Sequence, residues 1–347
     1  MNISSDQKEF PSHLHVVTWF SLSIATSVGG SVMLILLLAS SVYHKKLAGG
    51  STVLIAHLML IQLLHCAVLL PILTVNSFTA LTHRKDVLQL DCSVLSLIHI
   101  TAIQADNWAS LFLAINRYVA IVVPHFYRKL VTRNAILASL LLPWLIGVAV
   151  TLPVYFGFGG IFLWSAPCAF CAIFISGATS LYGAVFWPTL GTYVPIILMG
   201  MIYLALFGRL AAANSARRRS IDKTVLKGGA AVLLRKQERQ IVIAKMLVAG
   251  YVWYSLCILP GPIILTVFPV LHSTHPMLAN WINGFVTLCA FAASPFIFLA
   301  LSSDYRSNIR RLVMRQEYSS AGPEGRANWE KSRPLLKDSQ LNCAITG

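Results

Sequence analysis

Long apolar runs separated by short polar or basic stretches recur along this chain, at roughly 16–40, 51–75, 93–123, 134–157, 185–210, 240–266 and 278–301. Each approaches or exceeds the ~20 residues with which an α-helix crosses a bilayer, so seven spanning helices are predicted. None alternates apolar and polar residues, which argues against the strands of a membrane barrel. After the last run, Tyr305, Ile309, Leu312 and Val313 recur at helical spacing, while Arg306, Arg310, Arg311 and Arg315 take the other side. That pattern predicts a short amphipathic helix over 302–318, lying on a membrane face. Residues 1–15 form a polar lead into the bundle at 16–301, and the tail 319–347 is polar with Pro and Gly and reads as disordered. The expected fold class is an all-α membrane protein: a seven-transmembrane helix bundle with a short amphipathic eighth helix.

Composition agrees with the pattern. The chain is 56% hydrophobic and only 11% charged, against about a quarter charged in soluble domains. Its net charge of +15 is unevenly placed. Of 27 Lys and Arg, only Lys8, Arg84 and Lys85 fall on the N-terminal side of the alternating loops, and the other 24 fall on the opposite side. This positive-inside asymmetry predicts an extracellular N-terminus and a cytoplasmic C-terminus, and it leaves no reason to expect nucleic acid as a partner. The segment 211–238 reads as an inner loop carrying Arg217-Arg218-Arg219, Lys223, Lys227, Arg235 and Lys236. These suit anionic membrane lipid, at about 1 kcal/mol per basic residue near the surface, or a protein contact. Asn2-Ile3-Ser4 is a glycosylation sequon on the predicted outer side. No cleavable signal is visible, so the first run is expected to act as the targeting segment. Cys66, Cys257 and Cys289 lie inside spans and read as free buried thiols.

Cys92 precedes Asn116-Arg117-Tyr118 on the third run by an interval of about 37 Å of helix, which puts a cysteine at one membrane boundary and an arginine near the other. The remaining runs carry Pro71; Trp144 and Pro153; Pro195 and Tyr203; Cys257-Ile258-Leu259-Pro260; and Ser294-Pro295-Phe296-Ile297-Phe298. In this order and spacing, residues 16–316 resemble the rhodopsin-like (class A) family of G-protein-coupled receptors. The resemblance implies a plasma-membrane protein without cofactor that couples an extracellular small ligand to a heterotrimeric G protein. It assigns Asn116, Arg117, Tyr118, Tyr203, Pro295 and Phe298 to coupling, and Asn107, Pro195, Tyr254, Ile258 and Pro260 to the switch. It also implies a disulfide from Cys92 to Cys171 or Cys168, with Cys171 favoured as the nearer to helix five.

The chain departs from the family pattern at informative places. Asn116 replaces the acid before Arg117, and Gln240 stands where helix six usually carries a glutamate. Both changes imply a weaker inactive-state lock and raised basal signalling; the plainer alternative is an arginine that snorkels to the interface. Gln62 replaces the usual helix-two aspartate, while Asp106 lies about 21 Å along helix three from Cys92, near mid-membrane. Acids at that depth are costly and face the bundle. Asp106 with Gln62 and Ser294 is therefore expected either to form a displaced sodium or proton site or to serve as structural glue.

For the ligand, His99 occupies the level at which amine receptors carry an aspartate, so a cationic amine is not expected. Gly284 and Leu288 stand at the depth of the retinal-linking lysine, which excludes a retinal Schiff base. His99, Ile103, Trp187, Gly191, Leu265, Asn280 and Gly284 are the expected lining. Residues 156–164, rich in Gly and aromatics and free of charge, read as a lid, and a largely apolar pocket favours a lipid or other hydrophobic ligand. No catalytic or metal-ligating constellation is present, so an enzyme is not expected. A transporter using Asp106 would require repeats or broken helices, and neither is visible. A constitutive or silent receptor-like protein remains the alternative.

Overall fold

The computed structural model describes residues 12–43, 50–83, 91–165, 170–175, 179–221, 245–268, 276–301 and 306. Among them are seven long helices. Helix α1 is His13–Tyr43. Helix α2 runs from Gly50–Leu64 through a π-helical turn, His65–Leu69, into Leu70–His83. Helix α3 is Cys92–Val122 and α4 is Arg133–Tyr155, with a short helix Pro124–Leu130 between them. Helix α5 starts with two π turns, Tyr182–Phe186 and Thr189–Tyr193, and continues as Val194–Ile221. Helix α6 is Lys245–Val267. Helix α7 passes from Pro276–Ala279 through a π segment, Asn280–Val286, to Thr287–Ala292 and Ser294–Leu301.

All but α3 are long and apolar enough to cross a membrane. Helix α3 is as long, at 31 residues, but carries polar groups along its length. It tolerates them because it runs through the centre, packed on α2, α4 and α5. Gln104, Asp106, Asn107 and Asn116 are all buried there, away from any lipid-facing surface. On the outer helices the reverse holds: Leu145 is 62% exposed, Leu204 75% and Leu256 66%. Such a surface suits hydrocarbon as solvent.

Three boundaries differ from the sequence reading. Helix α2 continues past its apolar run to His83, because its polar last turns lie beyond the hydrophobic stretch that hydropathy detects. Helix α5 extends to Ile221, so Arg217, Arg218 and Arg219 are helical rather than part of a loop starting at 211. The glycine-aromatic stretch is not a simple lid: β1 Ile161–Ser165 pairs antiparallel with β2 Phe170–Phe174, with Trp164 opposite Cys171. Phe156 and Phe158 point outward, 76% and 49% exposed, while Phe162 is buried. Gly159 takes a left-handed φ of 86°, and a Cβ there would lie 2.6 Å from the Gly183 nitrogen, so only glycine fits. The sequon at Asn2, Cys168, Gln240 and nearly all of the expected amphipathic helix lie outside the described residues. Of that segment Arg306 is described, and its guanidinium donates to the Leu299 and Ala300 carbonyls at 3.2 and 2.7 Å, capping the end of α7.

The π turns of α2 and α5 each precede a proline, at Pro71, Pro188 and Pro195; the π segment of α7 does not. A π turn pairs each carbonyl with the N–H five residues on, and proline has no N–H. Pro71 therefore orphans the Cys66 carbonyl, which Ser27 of α1 takes. Pro195 orphans two carbonyls in α5, those of Leu190 and Gly191. Adjacent residues of α3 supply both donors: Trp108 Nε1 to Leu190 at 3.2 Å and Asn107 Nδ2 to Gly191 at 2.9 Å. In α7, Trp19 Nε1 reaches the Asn280 carbonyl at 3.1 Å, and Ser294 Oγ takes the Phe291 carbonyl that Pro295 frees, at 3.1 Å.

The close approach of α3 and α4 depends on a glycine. A Cβ on Gly147 of α4 would lie 2.8 Å from the Thr101 carbonyl of α3. Gly147→Leu is expected to force these helices apart at a cost of about 1–3 kcal/mol, read as a lower thermal unfolding midpoint of the purified protein in detergent.

Candidate functional site

The widened turns of α2, α5 and α7 flank a cavity of about 190 Å³ at the Cys92 end of the bundle. His99, Ile103, Trp187, Leu265, Asn280 and Gly284 all line it, as the sequence reading expected. Gly191 does not. It stands behind Gln104, whose side chain would lie 2.7 Å from a Cβ at that position. With its amide oriented to suit its neighbours, Gln104 donates to the Thr151 hydroxyl and the Gly147 carbonyl and accepts from Trp187 Nε1 at 3.0 Å. Trp187 thus spends its N–H on α3 and offers the cavity its ring. The roof is Cys171 and Ile173 of β2, held down by the Cys92–Cys171 disulfide, with a Cα separation of 5.6 Å. Ile258, at the family's tryptophan position, lies on the cavity wall and is 4% exposed.

Beneath the cavity the expected switch residues form a direct chain. The Tyr254 hydroxyl donates to Asn107 Oδ1 at 2.8 Å, and Asn107 passes the link to the Gly191 carbonyl four residues before Pro195. Asn107 therefore ties α3 to α5 and α6 at once, from a fully buried position. Asp106, also fully buried, faces the same Tyr254 hydroxyl, although neither of its carboxylate oxygens forms a well-shaped hydrogen bond among the described residues. Pro260 opens the last segment of α6 after a turn at Leu259.

A smaller cavity of about 70 Å³ lies toward the Arg117 end, lined by Gln62, Ser110, Tyr203, Tyr254, Ser294 and Phe298 among others. Ser294 Oγ donates to Gln62 Oε1 at 2.5 Å. The structure brings these two members of the expected ion site together but does not hydrogen-bond Asp106 to either; the Ser294 hydroxyl is used within the pair and on Phe291. Tyr203 is buried, packs on Tyr251 with ring centroids 5.4 Å apart, and lies within electrostatic reach of the Arg117 guanidinium. Asn116 is buried and Tyr118 packs against the core. Trp144 donates to His57 at 3.0 Å, joining α4 to α2.

The family model for the 7 transmembrane receptor (rhodopsin family) matches residues 33–298. The chain belongs to that family. No curated protein matches it beyond this. The bundle is thus that of a multi-pass membrane receptor, a class whose members are in general not enzymes.

Several of the receptor's site residues escaped the sequence reading: Trp19, Gln104, Asn283 and Trp108. Hydropathy sees Trp19 and Trp108 as apolar, yet both act here through the indole N–H. The legible signal was proline. Pro195 mid-helix leaves carbonyls that some neighbouring donor must satisfy, and α3 holds the nearest run of polar side chains. Asn107→Ala strips partners from both Gly191 and Tyr254 and is expected to cost about 1–3 kcal/mol for each group left bare. Tyr254→Phe removes one bond only, and the double variant should lose less than the sum of the singles, as unfolding in a double-mutant cycle would measure.

Proposed function

We propose that the receptor passes binding of a small hydrophobic molecule at the Cys92 end to a heterotrimeric G protein at the Arg117 end. In this reading the N-terminus is extracellular, with Asn2 glycosylated, and the C-terminus is cytoplasmic in the plasma membrane. The observation that carries it is the stacking of two cavities in one bundle, joined through Asn107 and Tyr254. A ligand touching Ile258, Ile103 or Trp187 acts on helices that Asn107 couples. The same helices set the shape of the lower cavity, which takes Ser110 and Leu113 from α3, Tyr203 from α5 and Phe298 from α7. The basic helical extension at Arg217, Arg218 and Arg219 supports an acidic or anionic partner on that side.

A second reading, constitutive signalling, is favoured by two residues. Asn116 puts an amide where the family places an acid beside the arginine, and Phe298 has no hydroxyl where the family has a tyrosine. Agonist-free G-protein activation in cells separates the readings. Arg117→Ala should abolish it and Asn116→Asp should lower it at equal surface expression; output indifferent to both would argue against G-protein coupling through this helix end.

Asp106 carries the proposed ion site. Its buried carboxylate, beside Tyr254 and one turn of α3 from Ser110 on the lower cavity, is placed for a sodium ion or proton that shifts with activation. Exchanging sodium for N-methylglucamine should change the signalling of wild type and leave Asp106→Asn unaltered. Identical sodium curves for the two proteins would dismiss the site.

A further inference from the structure

His65 is the least explained polar group near the upper cavity. The π turn of α2 carries it into the bundle, where it is fully buried. Its ring stacks on Phe291 with centroids 4.3 Å apart and meets His99 edge-on at 5.5 Å. Neither His65 nitrogen forms a hydrogen bond among the described residues, although the Ala102 backbone lies beside the ring, and His99 Nδ1 also lacks a partner. Among the described residues no acid holds either imidazole in one tautomer. His99 therefore meets the cavity ready to donate or to accept.

The rest of the wall is equally free of charge. Thr74, Ser77, Ser96 and Asn283 line the cavity with neutral polar groups, and among the described residues no Asp, Glu, Lys or Arg lines it. A carboxylate or phosphate buried there would have no countercharge. An ammonium fares no better, since Asp106 is not on the cavity wall. A hydroxyl both donates and accepts, so it matches an imidazole whose tautomer nothing fixes.

We propose that the upper cavity takes an uncharged, hydroxyl-bearing lipid, with its headgroup on His99 and its chain along Ile103 and Leu265. His65 is a positioning residue that holds the His99 ring from behind. This rests on the receptor reading and names the ligand class for the same site.

The test uses the full-length receptor in neutral detergent and three probes with one C18 chain: 1-oleoylglycerol, oleate and oleylamine. Oleoylglycerol is expected to raise the thermal unfolding midpoint saturably, and the two charged probes are not. His99→Phe should weaken the oleoylglycerol effect about tenfold in half-saturating concentration, the loss of one hydrogen bond, while His99→Gln restores it. His65→Phe keeps the stack on Phe291, so its probe-free midpoint should hold while its half-saturating concentration rises. A shift from oleate or oleylamine as large as that from oleoylglycerol overturns the proposal. So does no shift from any probe, or a shift that survives His99→Phe unchanged. Binding is read without G protein, so a saturable shift in a protein that activates no G protein would keep the site and sink the coupling. Coupling without the shift would do the reverse.

Discussion

Inside a bilayer no water is available to satisfy a carbonyl that proline has orphaned, so a neighbouring helix must bring the donor. This requirement organises the receptor. Pro71, Pro195 and Pro295 each free carbonyls; Ser27, Asn107 and Trp108 reach them from other helices, and Ser294 does so from within α7. Where two helices meet through such a bond, neither can rotate without stripping a buried polar group. The widened turns therefore come with fixed neighbours, and the upper cavity opens between them.

Helix α3 is the axis of this arrangement and the reason for its composition. Burial on many sides lets it carry Gln104, Asp106, Asn107 and Asn116 where an outer helix would present them to lipid. Gln104 fastens α4 and Trp187; Asn107 fastens α5 and α6. The two lie three residues apart and so nearly share a helix face. The helices around the upper and lower cavities are thereby held by neighbouring side chains of one rod. A change at the cavity wall needs to travel less than two turns to reach Tyr254.

Charge is distributed with equal economy. Arg117 stands toward the lower end of α3, while among the described residues no charged side chain lines the upper cavity. Asp106 stands between these regions, facing Tyr254. Its separation from the Gln62–Ser294 pair shows that moving a carboxylate from α2 to α3 does not simply transfer the family's polar cluster. The amide and hydroxyl left behind pair with each other, and the acid finds a different neighbour.

Much of this was legible in the chain. Seven apolar runs, the Cys92 to Arg117 interval and the proline positions specify a seven-helix bundle, because hydrophobic length and missing N–H groups are local properties. The cavity lining was readable as far as the family resemblance sets helix register: His99, Ile103, Trp187, Leu265, Asn280 and Gly284 all line the cavity, as that register implies. Tertiary structure decided the rest. A π turn shifts every later residue of its helix by about 100°, so the burial of His65 and the retreat of Gly191 behind Gln104 depend on which turns widen. Donors on other helices reach the carbonyls at those turns, and periodicity within one segment carries no record of its neighbours. The choice between Cys171 and Cys168 was settled in the same way: the pairing of β1 with β2 sets which cysteine the hairpin delivers to the head of α3.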